Sequence, residues 1–193
     1  DDYEFILNYV CTSSCALLQD LNPLNGKDVS FGGLVTTVRE GQTKRGSPYT
    51  IMAIEDYTGS CELAFFGDDS VNFGRFARLG LSIYVTAKIQ PKRFRQEELE
   101  IKVSSINLLS EVKDKLVTKI TLQLPITELD DTLVSELSAL MKNNSGHSLL
   151  YFNIIGEAYN MNVQLFSRPS KIQVNKHLID NLKNNLNIDF KIN

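Results

Sequence analysis

The stretch from Lys27 to Leu109 constrains the fold most, because it holds five segments of strand composition and one helical segment. The strand segments are rich in Val, Ile, Thr and Phe, which suit a pleated, half-buried surface. Between the third and fourth of them, the apolar residues of Gly67–Leu79 follow a helical period. The predicted strands are Val29–Val38, Tyr49–Glu55, Ser60–Phe66, Leu81–Ile89 and Leu99–Leu109.

Three strands, a helix and two further strands are the order of an OB-fold, a small five-stranded barrel. Gly32-Gly33 in the first strand fits a barrel corner, because glycines inside a strand often mark a bulge or strong coiling. A broken hairpin is the alternative. Asp56 is expected to support the tight turn that follows it, where Gly59 suits a positive φ.

The rest of the chain reads as attachments to this barrel. Residues 1–26 form a lead-in segment, residues 27–110 the OB-fold domain, and residues 116–193 a small α+β domain after a charged connector. The fold class is therefore mainly β plus α+β. In the second domain we expect a strand, a leucine-rich helix, a strand pair around Glu157–Asn160, a short strand over Lys171–Val174, a helix and a last strand.

Catalytic and metal-binding patterns are missing from the sequence. Cys11, Cys15 and Cys61 form no CxxC pair, so we expect neither a zinc site nor a disulfide framework but reduced thiols of a cytoplasmic protein. His147 and His177 are isolated, and no nucleotide-binding or hydrolase motif is present. We expect no enzymatic activity and no cofactor in this chain, and no apolar run is long enough to span a membrane.

Carboxylates offer one further catalytic option, the adjacent pair Glu55-Asp56. Neighbouring residues on a strand point to opposite faces of the sheet, so these two carboxylates do not converge on one ligand. Turn support by Asp56 explains the pair better than chemistry does.

Charge is distributed unevenly along the chain. The net charge of −3 argues against a purely electrostatic binder of nucleic acid, but it does not exclude a local basic groove. From Thr86 to Gln96 the sequence holds four cations and no anion.

Two basic turns point to nucleic-acid binding. In an OB-fold, the loops between strands one and two and between strands four and five flank the groove that holds single strands. Cations there neutralise phosphates, and aromatic rings stack on bases. Solvated hairpin tips are the alternative, and Phe65 and Phe66 are expected in the core. The candidate cations are Arg39, Lys44, Arg45, Lys92, Arg93 and Arg95, and the candidate rings are Tyr49, Phe94 and Phe31.

Three segments resemble a known family. Gly33-Leu34-Val35, Thr43-Lys44-Arg45-Gly46 and Ile54-Glu55-Asp56-Tyr57-Thr58-Gly59 resemble the OB-fold near the C-terminus of the bacterial replicative DNA polymerase III alpha subunit. The tail, with its helix Asn-Lys-His-Leu-Ile-Asp-Asn-Leu-Lys, resembles the family's C-terminal domain, where the tau subunit of the clamp loader attaches.

The resemblance covers nearly the whole chain and implies a piece cut from a longer polypeptide. It implies a non-catalytic, monomeric C-terminal fragment of a cytoplasmic DNA-directed DNA polymerase, a nucleotidyltransferase of DNA replication. The barrel would then bind single-stranded template DNA, and the tail would dock tau and other replisome proteins.

Two alternatives stay open. The fragment could be a protein-interaction scaffold without DNA binding. In that case apolar residues of the last helix and strand would dock the clamp loader, although the same residues could equally form a core: Leu178, Leu182, Ile188 and Phe190. OB-folds with a D-x-T-G turn also occur in the anticodon-binding domains of class II aminoacyl-tRNA synthetases, which predicts a preference for an RNA loop.

Overall fold

The computed structural model describes residues 3–156, 158 and 160–193, without the side chains of Lys113, Asp114 and Pro169. The first two residues of the predicted lead-in, and positions 157 and 159 of the predicted strand connection, lie outside the described residues. The chain divides into two compact units. The first unit is Ile6–Lys113, and the second is residues 114–193 together with residues 3–5.

The first unit is built on a five-stranded antiparallel sheet in the order β3-β2-β1-β4-β5. Helix α1 (Glu4–Tyr9) and two single 3₁₀ turns precede the sheet. Its elements are β1 (Asp28–Gln42), β2 (Pro48–Glu55), β3 (Ser60–Phe66), α2 (Asp68–Phe73), β4 (Ser82–Lys92) and β5 (Arg95–Leu108). The predicted OB-fold order is confirmed; among the described residues no ladder joins β3 to β5, so the sheet is not closed by strand pairing.

Strand β1 changes partner half-way along its length. Its residues 28–34 pair with β4, and its residues 34–42 pair with β2. A Cβ atom on Gly32 would lie 2.6 Å from the backbone oxygen of Ile83, and one on Gly33 would come still closer to that of Glu55. The glycine pair is needed because two neighbouring backbones approach there, and the predicted barrel corner is thereby given a physical cause.

The two faces of the first sheet differ in burial. In β3 the side chains of Cys61, Leu63 and Phe65 are buried, and those of the alternating residues are exposed. Phe65 was correctly expected in the core, but Phe66 points outward and is 57% exposed. Phe31 is completely buried, so the prediction that its ring stacks on a base is wrong.

The second unit contains a four-stranded sheet in the order β8-β7-β6-β9. Strands β6 and β7 are parallel, and the other two pairs are antiparallel. The elements after α3 (Leu109–Leu116) are β6 (Lys119–Pro125), α4 (Asp131–Asn143), β7 (Ser145–Gly156), β8 (Met161–Ile172), α5 (Lys176–Asp180), a π-helical turn (Asn181–Asn185) and β9 (Asp189–Ile192). The short strand expected from Lys171 is the end of β8, which resumes its pairing with β7 after a bulge.

One face of this second sheet forms the core of the unit. The alternating residues Ile120, Leu122 and Leu124 of β6 are at most 4% exposed. Buried residues of α5 and its continuation belong to the same core, including Leu178 and Leu182.

In the described part of the chain, no helix combines the length and the apolar character needed to cross a bilayer.

The residues that the sequence offered for docking the clamp loader are mostly buried, which corrects that prediction. Leu178, Leu182 and Ile188 are at most 4% exposed, so they serve the core and present no surface to a partner. Phe190 is half-buried, with the Lys183 ammonium 5.7 Å from the centre of its ring. The core interpretation of this set is therefore the one that burial favours.

The close approach at β1 predicts the effect of Gly33→Ala. The added methyl group must displace the backbone of β2, so we expect the free energy of unfolding to fall by about 1–3 kcal/mol. Urea denaturation measures this change as a lower midpoint.

Gly59→Ala is the matched control. The φ of Gly59 lies outside the left-handed region, contrary to the expectation from its turn, and the nearest atom to an added Cβ is 3.7 Å away. We expect a change within about 0.5 kcal/mol. Equal midpoints for the two variants would contradict the role assigned to Gly33.

Candidate nucleic-acid interface

An exposed surface runs across β1, β2 and β3 on the side opposite the core; we call it the outer face. The strand register aligns its side chains in rows: Gly41, Tyr49 and Phe66; Arg39, Ile51 and Ala64; Thr37, Ala53 and Glu62. Each row crosses all three strands, so the face is continuous.

Two aromatic rings lie at one end of the outer face. The ring centroids of Tyr49 and Phe66 are 6.4 Å apart, with an angle of 42° between the ring planes. A Cβ atom on Gly41 would lie only 2.7 Å from the Tyr49 hydroxyl, so the tyrosine ring lies against the glycine backbone. Gly41 and Phe66 thus hold Tyr49 from both sides, and the rings form a partly exposed platform.

The β1–β2 loop adjoins this platform directly. Its turn is closed by hydrogen bonds from the backbone N–H groups of Gly46 and Ser47 to the carbonyl and side-chain oxygens of Thr43, at 2.8 and 3.2 Å. Lys44 and Arg45 are exposed at its tip, and no ion pair of theirs is recorded in the described part of the chain. Two cations therefore flank the aromatic platform.

Arg39 is in the middle row of the outer face. Its guanidinium binds the Glu62 carboxylate at 2.9 Å, and the two side chains are 63% and 57% exposed. An exposed pair of this kind is worth little in water. Arg39 can therefore exchange Glu62 for another anion at small cost.

Glu98 neutralises part of the β4–β5 loop. Its carboxylate binds Lys92 at 2.6 Å and Arg95 at 2.9 Å. The hydrogen bonds from Lys92 and then Arg95 lower the pKa of Glu98 below its ordinary value, so it stays ionised at neutral pH. The cation-rich stretch of the sequence ends two residues before this glutamate, which is why the stretch alone overstated the positive charge.

Arg93 and Phe94 form the tip of the same loop. The Arg93 guanidinium lies 5.5 Å from the centre of the Phe94 ring, and Phe94 is 90% exposed. This tip offers one cation without a recorded carboxylate partner among the described residues, together with one ring.

The register relates the two loops through β1. The β1–β2 loop follows the C-terminal end of β1, and the β4–β5 loop extends past the pair Asp28–Lys88 at its other end. No contact between the loops is recorded for the described residues. Their joint use by one ligand therefore stays a prediction.

Asp56 fastens the turn after β2 and also the lead-in segment. One carboxylate oxygen accepts hydrogen bonds from the N–H and hydroxyl groups of Thr58, at 2.7 and 2.6 Å, and from the N–H of Gly59 at 3.1 Å. The other oxygen accepts from the N–H of Cys15 at 2.8 Å, and Ala16 donates to the Thr58 hydroxyl. Turn support by Asp56 is confirmed, and its second task is to hold residues 15–16 against the sheet.

The pKa of Asp56 reflects two opposing causes. Burial raises it, but the hydrogen bonds from Thr58, Cys15 and Gly59 together outweigh burial, and the pKa falls below its ordinary value of 3.8. The folded state therefore favours the ionised carboxylate.

The three cysteines are free thiols, and the surroundings of Cys11 and Cys15 suppress the reactivity of these two. The sulfur atoms of Cys15 and Cys61 lie 3.4 Å apart in the core. The hydrogen bond with Cys61, and then burial, raise the pKa of the Cys15 thiol, and burial raises that of Cys11 to about 12. Neither Cys11 nor Cys15 is a nucleophile at neutral pH. No group of three or more His, Cys, Asp or Glu side chains suited to a metal occurs among the described residues.

Two family models match this chain, one in each of the two compact units of the fold. Residues 29–109 match a family model described as an OB-fold nucleic acid binding domain. Residues 120–193 match the model of the DNA polymerase III alpha subunit, C-terminal domain. The chain resembles the C-terminal region of the DNA polymerase III alpha subunit. The resemblance predicted from the sequence is confirmed.

Two curated relatives carry the same polymerase name. The DNA polymerase III subunit alpha of Haemophilus influenzae is 25% identical over 133 residues, covering 68% of this chain and 11% of the relative. That of Borreliella burgdorferi is 29% identical over 145 residues, covering 72% of this chain and 12% of the relative. The chain thus spans about a tenth of the length of these polymerase subunits.

Solved structures show a weaker likeness. A mitochondrial single-stranded DNA binding protein of S. cerevisiae is 21% identical, with 42% of this chain and 92% of that chain covered and a TM-score of 0.32. The second OB-fold domain of replication protein A from Methanococcus maripaludis is 17% identical, with 44% and 86% covered and a TM-score of 0.27. TM-scores this low carry no argument about the site.

The contacts of Asp56 predict that Asp56→Ala is less stable than the wild type, and that this difference in the free energy of unfolding shrinks in acid. The variant should lose about 2–3 kcal/mol at pH 7, because four hydrogen bonds to a carboxylate are removed. In the wild type, this contribution is present above the unfolded-state pKa and is lost as the pH falls through the lower folded-state pKa.

Urea denaturation across the acid range measures the effect. The difference between wild type and Asp56→Ala should be constant near neutrality and shrink at pH values below about 3.8. Glu55→Ala, next to it on the exposed face of β2, is the control and should leave stability nearly unchanged. A difference that does not depend on pH would contradict the assigned ionised state.

Proposed function

We propose that this chain serves a bacterial replicative DNA polymerase by holding single-stranded template DNA on the outer face of its OB-fold. In this proposal the chain acts by binding alone, within the cytoplasmic replisome, and the polymerase's chemistry lies in parts of the parent subunit beyond this tenth of its length. The second unit docks the tau subunit of the clamp loader.

The Tyr49–Phe66 platform beside Lys44 and Arg45 is the observation that carries the DNA-binding proposal. Base stacking on an aromatic ring contributes roughly 1–3 kcal/mol per base and tolerates any sequence. Cations beside the rings take up phosphates and release counterions, which makes the affinity depend on salt. A sequence-tolerant, salt-sensitive contact is what a moving template needs.

The β4–β5 loop is a second, weaker part of the proposed site. Arg93 and Phe94 can contact the strand directly, whereas Lys92 and Arg95 must first share their charge with Glu98. The affinity of the free fragment should therefore be modest.

The docking proposal shifts from the buried residues to strand β8. Val163 and Leu165 are 39% and 47% exposed on this edge strand of the second sheet. They lie on the same side as Phe152 and Ile154, so a partner strand or helix would find a short apolar surface there. This observation also favours the scaffold alternative, in which protein contact is the only function.

Tau binding predicts that Val163→Ser with Leu165→Ser weakens capture of the chain by an immobilised clamp-loader tau subunit at least fivefold. The matched control is Asn162→Ser with Gln164→Ser, which changes neighbouring residues on the opposite face of β8. Equal capture of both double variants would contradict docking at this edge.

If Phe66 stacks on a base, Phe66→Ala should weaken binding of a fluorescein-labelled oligothymidine by roughly 5- to 150-fold, the equivalent of about 1–3 kcal/mol. Fluorescence anisotropy at low salt measures it. Leu79→Ala, which removes an exposed apolar side chain outside the strands of the outer face, is the control. Unchanged affinity in Phe66→Ala, or preferential displacement by an RNA hairpin over oligothymidine, would favour the alternatives.

Glu98→Gln should bind DNA more tightly than the wild type, because the substitution frees two cations of the β4–β5 loop. Lys92 and Arg95 lose their shared carboxylate, so the affinity for oligothymidine should rise several-fold at low salt and its salt dependence should steepen. Glu97→Gln changes the net charge equally but removes no recorded ion pair. A rise of the same size in both variants would show a general charge effect and would contradict a specific contact by this loop.

A further inference from the structure

The second unit has a sheet face that is polar, basic and partly aromatic, on the side opposite its core. We name it the amide face. It is formed by the residues of β6–β9 that alternate with the buried ones, and the register aligns Gln164, Asn153, Gln123 and Asp189 in one row across all four strands. A shallow depression of about 400 Å³ lies on it.

We propose that the amide face is a second contact surface for single-stranded nucleic acid. It lies wholly within the second unit and uses none of the residues of the outer face. The inference goes beyond the proposed function and does not depend on it.

Charge is the first support. Lys119, Lys171 and Lys191 lie on this face, and among the described residues that its strand register aligns, Asp189 supplies the one carboxylate. All three lysines are exposed, and no ion pair of theirs is recorded in the described part of the chain. In a chain with a net charge of −3, this is a local excess of positive charge suited to phosphates.

Side-chain amides are the second support. The Asn153 amide donates a hydrogen bond of 2.7 Å to the Gln123 oxygen, and no other hydrogen bond of these two side chains occurs among the residues that the structure describes. Asn162 and Gln164 are exposed beside them and line the depression. Each amide is both donor and acceptor, so a row of them complements the edges of unpaired bases.

A pair of aromatic rings, tilted by 37° to one another, is the third support. Tyr151 and Phe166 face each other across β7 and β8 with ring centroids 5.0 Å apart, and Phe166 is 47% exposed. Their row continues to Thr121 and Lys191. Phe166 and Lys191 therefore lie on the two edge strands of one row, so a single strand that runs across the sheet meets a ring for a base and a cation for a phosphate.

The three features together distinguish nucleic acid from an acidic protein segment. An acidic peptide without aromatic residues would use the lysines and hydrogen-bond the amide row through its backbone, but it has no aromatic face to stack on the ring pair. An unpaired strand uses all three, because phosphates, base edges and base faces recur at every nucleotide.

Photocrosslinking identifies the contact directly. The full chain is irradiated with a 5-bromodeoxyuridine oligonucleotide of about 20 nucleotides, longer than the site of one OB-fold, and the crosslinked peptides are sequenced by mass spectrometry. We expect crosslinks at Tyr151 or Phe166. A set of crosslinks confined to the first unit would overturn the inference and leave the proposed function intact, and crosslinks confined to β7 and β8 would do the reverse.

Affinity measurement supplies the second readout. In a Phe66→Ala background, Lys119→Gln with Lys191→Gln should lower the remaining oligonucleotide affinity by about three- to tenfold and flatten its salt dependence. Lys115→Gln with Lys142→Gln, which removes two exposed charges of the second unit away from the sheet, is the matched control. Equal affinities of the two double variants, or displacement of the oligonucleotide by polyglutamate at equal charge, would overturn the inference.

Discussion

The close approach of three backbones at Gly32 and Gly33 is the constraint on which the first unit depends. Only because no side chain intervenes can β1 pass from pairing with β4 to pairing with β2 within one continuous strand. That change of partner sets the strand order, and the strand order puts β2 and β3 on one flank with their alternate residues facing out. The outer face is thus a consequence of backbone geometry before it is a matter of side-chain chemistry.

Electrostatics limits how strongly this face can hold a strand. The chain has more acidic than basic residues. Three of the six candidate cations already form ion pairs with carboxylates: Arg39 with Glu62, and Lys92 and Arg95 with Glu98. The other three cations lie near aromatic rings: Lys44 and Arg45 near the Tyr49–Phe66 platform, and Arg93 beside Phe94. Binding is therefore expected to depend as much on stacking as on charge, which suits a fragment that contacts a template only within a larger machine.

The sequence was sufficient where local chemistry decides the structure. The strand order follows from periodicity and glycine positions, and the turn at Asp56 follows from a carboxylate placed before two backbone donors. The sequence was insufficient where pairing between strands determines which face of the sheet a side chain occupies. Phe65 and Phe66 differ only in which face the register gives them, although the alternation of Cys61, Leu63 and Phe65 was a usable signal.

Long-range partners were also beyond the sequence. Glu98 reaches Lys92 only because the β4–β5 hairpin folds back, and the amide face exists only because β6 pairs in parallel with β7. The apolar residues of α5 looked equally suited to a core or a partner, and burial alone separates the two roles.

Chemical-shift mapping shows which surface of the first unit contacts DNA. In a titration of the ¹⁵N-labelled chain with oligothymidine, we expect the largest amide shifts in the first unit to fall on the β1–β2 loop and on the two rows of the outer face that contain Arg39 and Phe66. If the shifts in that unit instead fell on α2 and the lead-in segment, with the outer face unaffected, the outer face would not be the DNA interface.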